Sequence, residues 1–453
     1  MIRHAEIVAR VAEWQLSHFV IEKDYVLGWL LWGIGSDPRL QDWVFKGGTC
    51  LKKCYFETYR FSEDLDFTVL RGGPVTPQHL HALLPDVLRR VGEQSGIDFS
   101  VREPQLRARP GGLSTEGSVY YRGPLGAPQA ARVKLDLTIN EQVVRPPVLR
   151  TVTHPYSDEL PHPATVRCYS FDELFAEKIR AMAQRARPRD LYDIINLYRH
   201  RDLHPRPQLI RGALELKCAA KGVPYPTVAS LDAAGQSTAL FADWEDMLAH
   251  QLPALPPVDS FWSELPGLFD WLDGHESAQL APAPVGGDIE STWSPPPTIT
   301  TWGSRISLES IRFAAANRLH VNLGYQGTVR PIEPYSLRRT RDGHLLLAAV
   351  KAATGEVRTY RIDRIQSVQI TTRPFRPRFA IEFASTGAMP APPPTRTSGG
   401  FAAAGSRSRA AARYTVECPL CHKRFPRQRP DAALNPHKGQ GGYPCPGRAG
   451  RLV

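Results

Sequence analysis

The chain has no apolar run long enough to cross a bilayer. Its longest, VLGWLLWGIG (Val26–Gly35), is about half of the roughly 20 residues that a membrane helix needs. Its first residues also lack a basic stretch followed by an apolar segment and a small-residue cleavage site, so no secretion signal is expected. A cytoplasmic protein without a membrane partner is the expectation. Cysteine is scarce and odd in number, seven in 453 residues, which argues against a disulfide framework. Acidic residues are nearly missing from one region: residues 395–453 hold 11 Lys/Arg against 2 Asp/Glu.

What is present is the composition of a globular protein, 42% hydrophobic and 22% charged, in a chain too long for one core, so two to four domains are expected. The net charge of +11 is uneven. Residues 1–280 hold 31 Lys/Arg against 35 Asp/Glu, and residues 281–394 hold 14 against 8. Any affinity for nucleic acid is therefore expected in the C-terminal part. Composition shifts near APAPVGGDIESTWSPPPT (Ala281–Thr298) and again near residues 386–413, both Pro/Gly/Ala/Ser-rich and unable to bury much apolar surface. Read as linkers, 281–300 and 386–413 divide the chain into modules at 1–280, 301–385 and 414–453.

In the first module the pattern predicts a helical stretch over Ile7–Ile34, a strand at Trp43–Phe45, a helix over Leu51–Phe56, a strand at Leu65–Leu70 and a helix over Gln78–Glu93. Arg132–Thr138 alternates strictly, with Val133, Leu135, Leu137 and Ile139 on one face. Helices follow over Phe171–Arg185 and Leu191–Arg199, with more to about residue 275. This order indicates an α+β domain with a small sheet and a helical C-terminal part.

The chemistry-bearing stretch is RFSEDLDFT (Arg60–Thr68). On a strand, Asp64 and Asp66 project from one face while Glu63 and Leu65 point away. Two carboxylates side by side repel unless a cation neutralises them, the condition under which Mg²⁺ binds. Asp136 has the same character on another strand, and if the strands adjoin, three carboxylates converge. Upstream, Gly47-Gly48-Thr49 makes a turn that opens a helix, whose free N–H groups suit a phosphate. Either feature alone is common; the ordered set is more specific.

FKGGTCLKKCYFETYRFSEDLDF (Phe45–Phe67), with IEKDYVLGWLL (Ile21–Leu31), VKLDLT (Val133–Thr138) and FDELFAEKIRAMAQRARPRDLYDI (Phe171–Ile194), resembles the AbiEii/MenT-type nucleotidyltransferase toxins of type IV toxin-antitoxin systems. The resemblance implies a DNA polymerase β-like core and transfer of a nucleoside monophosphate from an NTP, with tRNA 3′ ends the substrate of characterised members. It implies that Gly47, Gly48 and Thr49 meet the nucleotide phosphates and that Asp64 and Asp66 bind Mg²⁺. Asp136 would be the third carboxylate and candidate base. Lys178 and Arg185, seven apart and so on one helical face, would neutralise the triphosphate, with Asp190 completing the site. Ser62 and Lys134 are further candidates for phosphate contact, and a cognate antitoxin is an expected partner.

Residues 305–378 read as a helix followed by short strands, with turns at Gly324, Asp342-Gly343 and Thr354-Gly355. They resemble a WYL domain, a small Sm-like β-barrel that binds nucleic acid or a nucleotide-like ligand. Leu345-Leu346-Leu347 stands where the naming tripeptide would be, and Arg358 and Arg364, with Arg361 in the same basic segment, are the ligand candidates. In the tail, Cys418-x₂-Cys421, His437 and Cys445 make a tetrahedral Zn²⁺ set in a module with too little core to fold unaided. His422 is a spare ligand, and Lys423, Arg424, Arg427 and Arg429 surround the site and suit nucleic acid.

The expected function is Mg²⁺-dependent nucleotidyl transfer to an RNA, as a toxin or in phage defence. Two other readings stay open, a nucleic-acid-binding regulator on a nucleotidyltransferase-like scaffold and an enzyme that nucleotidylates protein.

Overall fold

The computed structural model describes residues 1–56, 59–111, 114–200, 204–233, 236–275, 280–286, 289–290, 308–383, 414–427, 432–434, 437–438, 444–445 and 449–452. The linker expected at 386–413 and residues 291–300 of the other lie outside them. The chain forms two compact units, Met1–Thr395 and Arg396–Val453.

The expected helix over Ile7–Ile34 is two helices, α1 (His4–Trp14) and α2 (His18–Gly35), broken where Gln15 takes a left-handed φ of 54°. Ser17 restarts the chain by accepting a hydrogen bond from the Val20 N–H, an N-cap. Apolar on nearly all sides, α2 is buried along almost its whole length, as such a helix must be in water. The longest apolar run is thus the central core helix, and among the described residues no helix is long and apolar enough to cross a membrane.

A seven-stranded mixed sheet packs around it, larger than the small sheet expected: β1 (Trp43–Lys46), β2 (Asp64–Val69), β3 (Gln105–Ala108), β4 (Ser114–Tyr121), β5 (Ala131–Thr138), β6 (Val148–Thr151) and β7 (Thr165–Cys168), in the order β3-β4-β5-β2-β1-β7-β6. Strand pairs β2/β5 and β1/β7 are parallel, and the other pairs antiparallel. Val133, Leu135 and Leu137 of β5 are buried, whereas Ile139 lies past the strand end and is exposed.

Between β1 and β2, α3 (Gly47–Cys50) runs into a π-turn over Leu51–Tyr55, closed by the Phe56 N–H on the Leu51 carbonyl at 2.9 Å. Helix α4 (Pro77–Ser95) starts with Thr76 as cap and Pro77 in its first turn, the arrangement those residue types favour. After the sheet come α5 (Phe171–Arg185), capped by Ser170, and α6 (Pro188–Arg199), separated where Ala186 turns left-handed ahead of Pro188. The helical part continues through α7 (Pro207–Lys221), α8 (Val228–Ala233), α9 (Gln236–Ala242), α10 (Trp244–Leu248), α11 (Val258–Trp262) and α12 (Leu265–Leu272).

Helix α13 (Leu308–Ala316) precedes a five-stranded antiparallel sheet: β8 (Leu319–Tyr325), β9 (Thr328–Arg339), β10 (Leu345–Lys351), β11 (Val357–Arg361) and β12 (Ile365–Pro374), ordered β11-β10-β9-β8-β12. It curls enough for Tyr360 of β11 to meet Tyr325 of β8 edge-on at 5.2 Å. The turn expected at Gly324 is instead Gln326-Gly327, both with positive φ, as a tight hairpin requires. Gly324 lies inside β8, where a Cβ would sit 2.2 Å from the Ser367 hydroxyl. Within the segment read as a linker, Ala283 is buried and Glu290 pairs with Arg339 of β9 at 2.6 Å. One continuous hydrophobic core joins residues from Ile2 to Phe383, so the first two modules share an interior.

The second unit consists of β13 (Tyr414–Glu417), β14 (Arg424–Arg427), β15 (His437–Lys438), β16 (Pro444–Cys445) and β17 (Arg451–Leu452), in a β14-β13-β17 sheet and a β15-β16 ribbon. Its buried apolar side chains among the described residues are Val416, Cys418, Leu434 and Cys445.

Candidate active site

Strand register assembles the carboxylates. Asp66 lies opposite Asp136 across the parallel β2/β5 pair, and Asp64 opposite Lys134. Lys46 faces Asp66 from β1, and Glu116 faces Asp136 from β4. Residues in register share a face, so Lys46, Asp66, Asp136 and Glu116 form a row across four strands, with Asp64 one pleat away. Burial, with Asp64 and Asp136 close by, pushes the Asp66 carboxyl up to about 6, although Lys46 pulls the other way. Excess negative charge gathered on a half-buried face is what a divalent cation relieves, so these residues fit one. Glu63 is turned to Lys23, at 2.6 Å.

The Gly-Gly turn closes over this face. Gly47 has a φ of 82°, and a Cβ there would lie 2.4 Å from the Asp66 carboxylate; one on Gly48 would lie 2.4 Å from the Arg60 guanidinium and 3.0 Å from the Ser62 hydroxyl. Glycine is needed at both positions for contact, and at Gly47 also for conformation. The Thr49 hydroxyl is buried and donates to the Asp64 carbonyl. It therefore fastens the turn to β2.

Lys178 and Arg185 do share a helical face, but both turn to Asp190. Arg185 holds it with two bonds of 2.8 and 3.0 Å, and Lys178 is 3.9 Å away. Lys178 lies closer to Asp193, at 2.6 Å. Asp193 also accepts two bonds from Arg60 and one from the Tyr59 hydroxyl, each 2.7 Å. Arg60 and Lys178 hold its carboxyl well below the ordinary range against the cost of burial. Of the two cations, Lys178 is largely buried and Arg185 half-exposed. Lys134 is exposed.

Sequence reasoning missed Lys46, which pairs with Glu141, Arg60, and Arg109, which follows β3 and bonds Asp136 and Glu116. Lys46 directly precedes the glycines and Arg60 opens the acidic stretch, so adjacency was a signal for both. Arg109 reaches its carboxylates only through strand pairing.

In the second unit, Cys418, Cys421, His437 and Cys445 bring four ligand atoms within 4.8 Å of one another. Cys418 Sγ is 3.8 Å from Cys445 Sγ, and Cys421 Sγ is 3.3 Å from His437 Nε2. Ligands at about 2.3 Å from a tetrahedral ion lie about 3.8 Å apart, so this set fits one. His422, the spare candidate, is exposed and turned to Glu417 at 3.2 Å. Arg424 also pairs with Glu417, at 2.8 Å, while Arg429 lies outside the described residues. On the curled sheet, Arg358 is exposed and paired with Glu356, Arg361 pairs with Asp363, and Arg364 is exposed on the 3₁₀ turn between β11 and β12.

Two family models match the chain: the nucleotidyl transferase AbiEii toxin of type IV toxin-antitoxin systems over residues 29–272, and the WYL domain over residues 307–370. No curated protein matches it. Among solved structures, it is similar to MenT4, a nucleotidyltransferase toxin from Mycobacterium tuberculosis H37Rv, with 19% identity, a TM-score of 0.42, and coverage of 61% of this chain and 91% of that one. Because the first of these models spans more than half of the chain, the protein belongs to the AbiEii nucleotidyltransferase toxin family, as a nucleotidyltransferase followed by a WYL domain.

Proposed function

We propose that the enzyme transfers a nucleoside monophosphate from an NTP to the 3′ end of an RNA, with tRNA the acceptor, and that this makes it a toxin used in phage defence. The observation that carries the reading is the in-register pair Asp66 and Asp136 beside Asp64, where burial, with the two neighbouring carboxylates adding to it, raises the Asp66 carboxyl to about 6. These three residues would hold Mg²⁺, which when bound neutralises triphosphate and leaving-group charge.

The chain's own groups do the rest. The acceptor hydroxyl attacks the α-phosphorus, the bond to the bridging oxygen of the β-phosphate breaks, and pyrophosphate leaves. Asp136 Oδ2 takes the hydroxyl proton, after release from Arg109. Gly47 and Gly48 leave room for phosphate against the backbone, and Arg185 supplies positive charge from the rim. Lys178, clamped by Asp190 and Asp193, positions the rim and Arg60. The C-terminal Cys₃His set would hold structural Zn²⁺. The basic WYL and tail modules, proposed at 301–385 and 414–453, would dock RNA, and a cognate antitoxin would restrain the enzyme.

The test is incubation with Mg²⁺, each labelled NTP and total tRNA. The parent should label RNA, and Asp66→Ala should lose more than about a hundredfold of the rate. Equal labelling by that variant would sink the reading. Labelling of protein instead would favour the alternative acceptor, for which the excess of Asp/Glu over residues 1–280 leaves room.

A further inference from the structure

Outside the tail, the chain has four cysteines, Cys50, Cys54, Cys168 and Cys218. Three of them converge. The Sγ atoms of Cys50 on α3, Cys54 in the π-turn and Cys168 on β7 lie within 4.8 Å of one another, and all three residues are buried. Chance packing does place thiols in cores, because free cysteine behaves as a small hydrophobe. Three features set this cluster apart. Cys50 and Cys54 are one helical turn apart on a segment that departs from α-helix into a π-turn, an irregularity frequent at functional sites. The Arg150 guanidinium is a cation beside the cluster, donating to the Cys54 carbonyl at 3.1 Å and lying 4.6 Å from the Tyr55 ring centre. The separations also suit one ion: with metal–sulfur bonds of about 2.3 Å, sulfurs around it lie about 4 Å apart.

We propose that Cys50, Cys54 and Cys168 form a three-thiolate binding site for a soft d¹⁰ cation, Cu⁺ or Zn²⁺, separate from the Cys/His set of the tail. Binding replaces three S–H protons by three metal–sulfur bonds, with no change in oxidation state. Thiolate sulfur selects soft cations over the Mg²⁺ class, so the site does not compete with the carboxylate face. It fastens the back of the turn whose front faces Asp66: Cys50 closes the α3 segment that begins at Gly47, and Cys168 pairs with Phe45 of β1. Loading therefore clamps β7 to the turn that carries Gly47 and Gly48.

The experiment titrates the full, reduced chain with Cd²⁺, a spectroscopic stand-in, and follows thiolate-to-metal charge-transfer absorption in the near ultraviolet. Two equivalents are expected for the parent and for Cys218→Ser. The triple variant Cys418→Ser/Cys421→Ser/Cys445→Ser, which removes every thiolate of the tail set, should keep one equivalent, and adding Cys168→Ser to it should abolish the band. Cys54→Ser in the same background is the second variant should Cys168→Ser misfold, with far-ultraviolet circular dichroism of the metal-free proteins as the folding control. Competition of Cu⁺ or Zn²⁺ against bound Cd²⁺ then identifies the preferred ion. A folded, fully reduced chain of that triple variant without any charge-transfer band overturns the proposal and leaves the trio as core packing.

Discussion

At the residue scale, single contacts set charge in the site. Asp66 shows how function can oppose stability. Its carboxyl is raised from 3.8 to about 6, chiefly by burial, so the folded chain binds that proton more tightly than the unfolded one. Stability must then fall as pH rises from about 4 to about 6 and stay low above it, by up to roughly 3 kcal/mol. Asp66→Asn should therefore melt higher than the parent at pH 8 in chelator, converge with it near pH 4, and lose transfer; calorimetry across that range checks the sign. Asp193 is the opposite case. It is fully buried and compensates both Arg60 and Lys178, so Asp193→Ala leaves two buried cations short of a partner and should cost roughly 3–5 kcal/mol in urea unfolding. The acidic pair Asp64 and Asp66 was legible because strand alternation is a local rule. The partner of Arg60 was not, because it lies 133 residues away.

At the element scale, register and the turn decide the site. A shift of one residue between β2 and β5 would move Asp136 to the opposite face; the buried Val133, Leu135 and Leu137 hold it in place. The β1–α3 turn can be tested by Gly47→Ala, which meets both a positive φ and the Asp66 carboxylate at 2.4 Å. The expected result is a loss of more than about 1 kcal/mol of stability together with weakened nucleotide binding, read by thermal shift and by titration with a non-hydrolysable NTP. Elements with regular periodicity, such as α5 and β5, were readable from the sequence. Strands β3, β6 and β7, four residues each, carry too few alternations to identify alone, and β4 lacks strict alternation of apolar residues, so the sheet is wider than expected. The break between α1 and α2 was hidden because a left-handed Gln15 has no glycine to announce it.

At the scale of the whole molecule, the shared core of residues up to Phe383 changes how the chain can be divided. Glu264 of the helical part accepts bonds from both Arg199 and Arg318, at 2.6 and 2.5 Å, and Arg199 also reaches the Ala316 carbonyl at 3.3 Å. Burial, with Arg199 close by, lowers the Arg318 guanidinium to about 10, so Glu264→Ala leaves two neighbouring cations in conflict. Scanning calorimetry of that variant should show the nucleotidyltransferase and WYL parts still melting together, several degrees lower; separate melting would show them to be independent. A strong chelator should abolish a small transition from the tail, where the four buried apolar side chains among the described residues are too few to sustain a fold without metal. The sequence by itself determined the residue types of the carboxylate set, the glycine turn, the zinc-type spacing and the α+β class, because period and spacing are properties of neighbouring residues. Only the tertiary structure decided which charges meet, how Lys178 and Arg185 are held, where three cysteines converge and that two modules share one core, because those depend on strand order and packing between residues far apart in the chain.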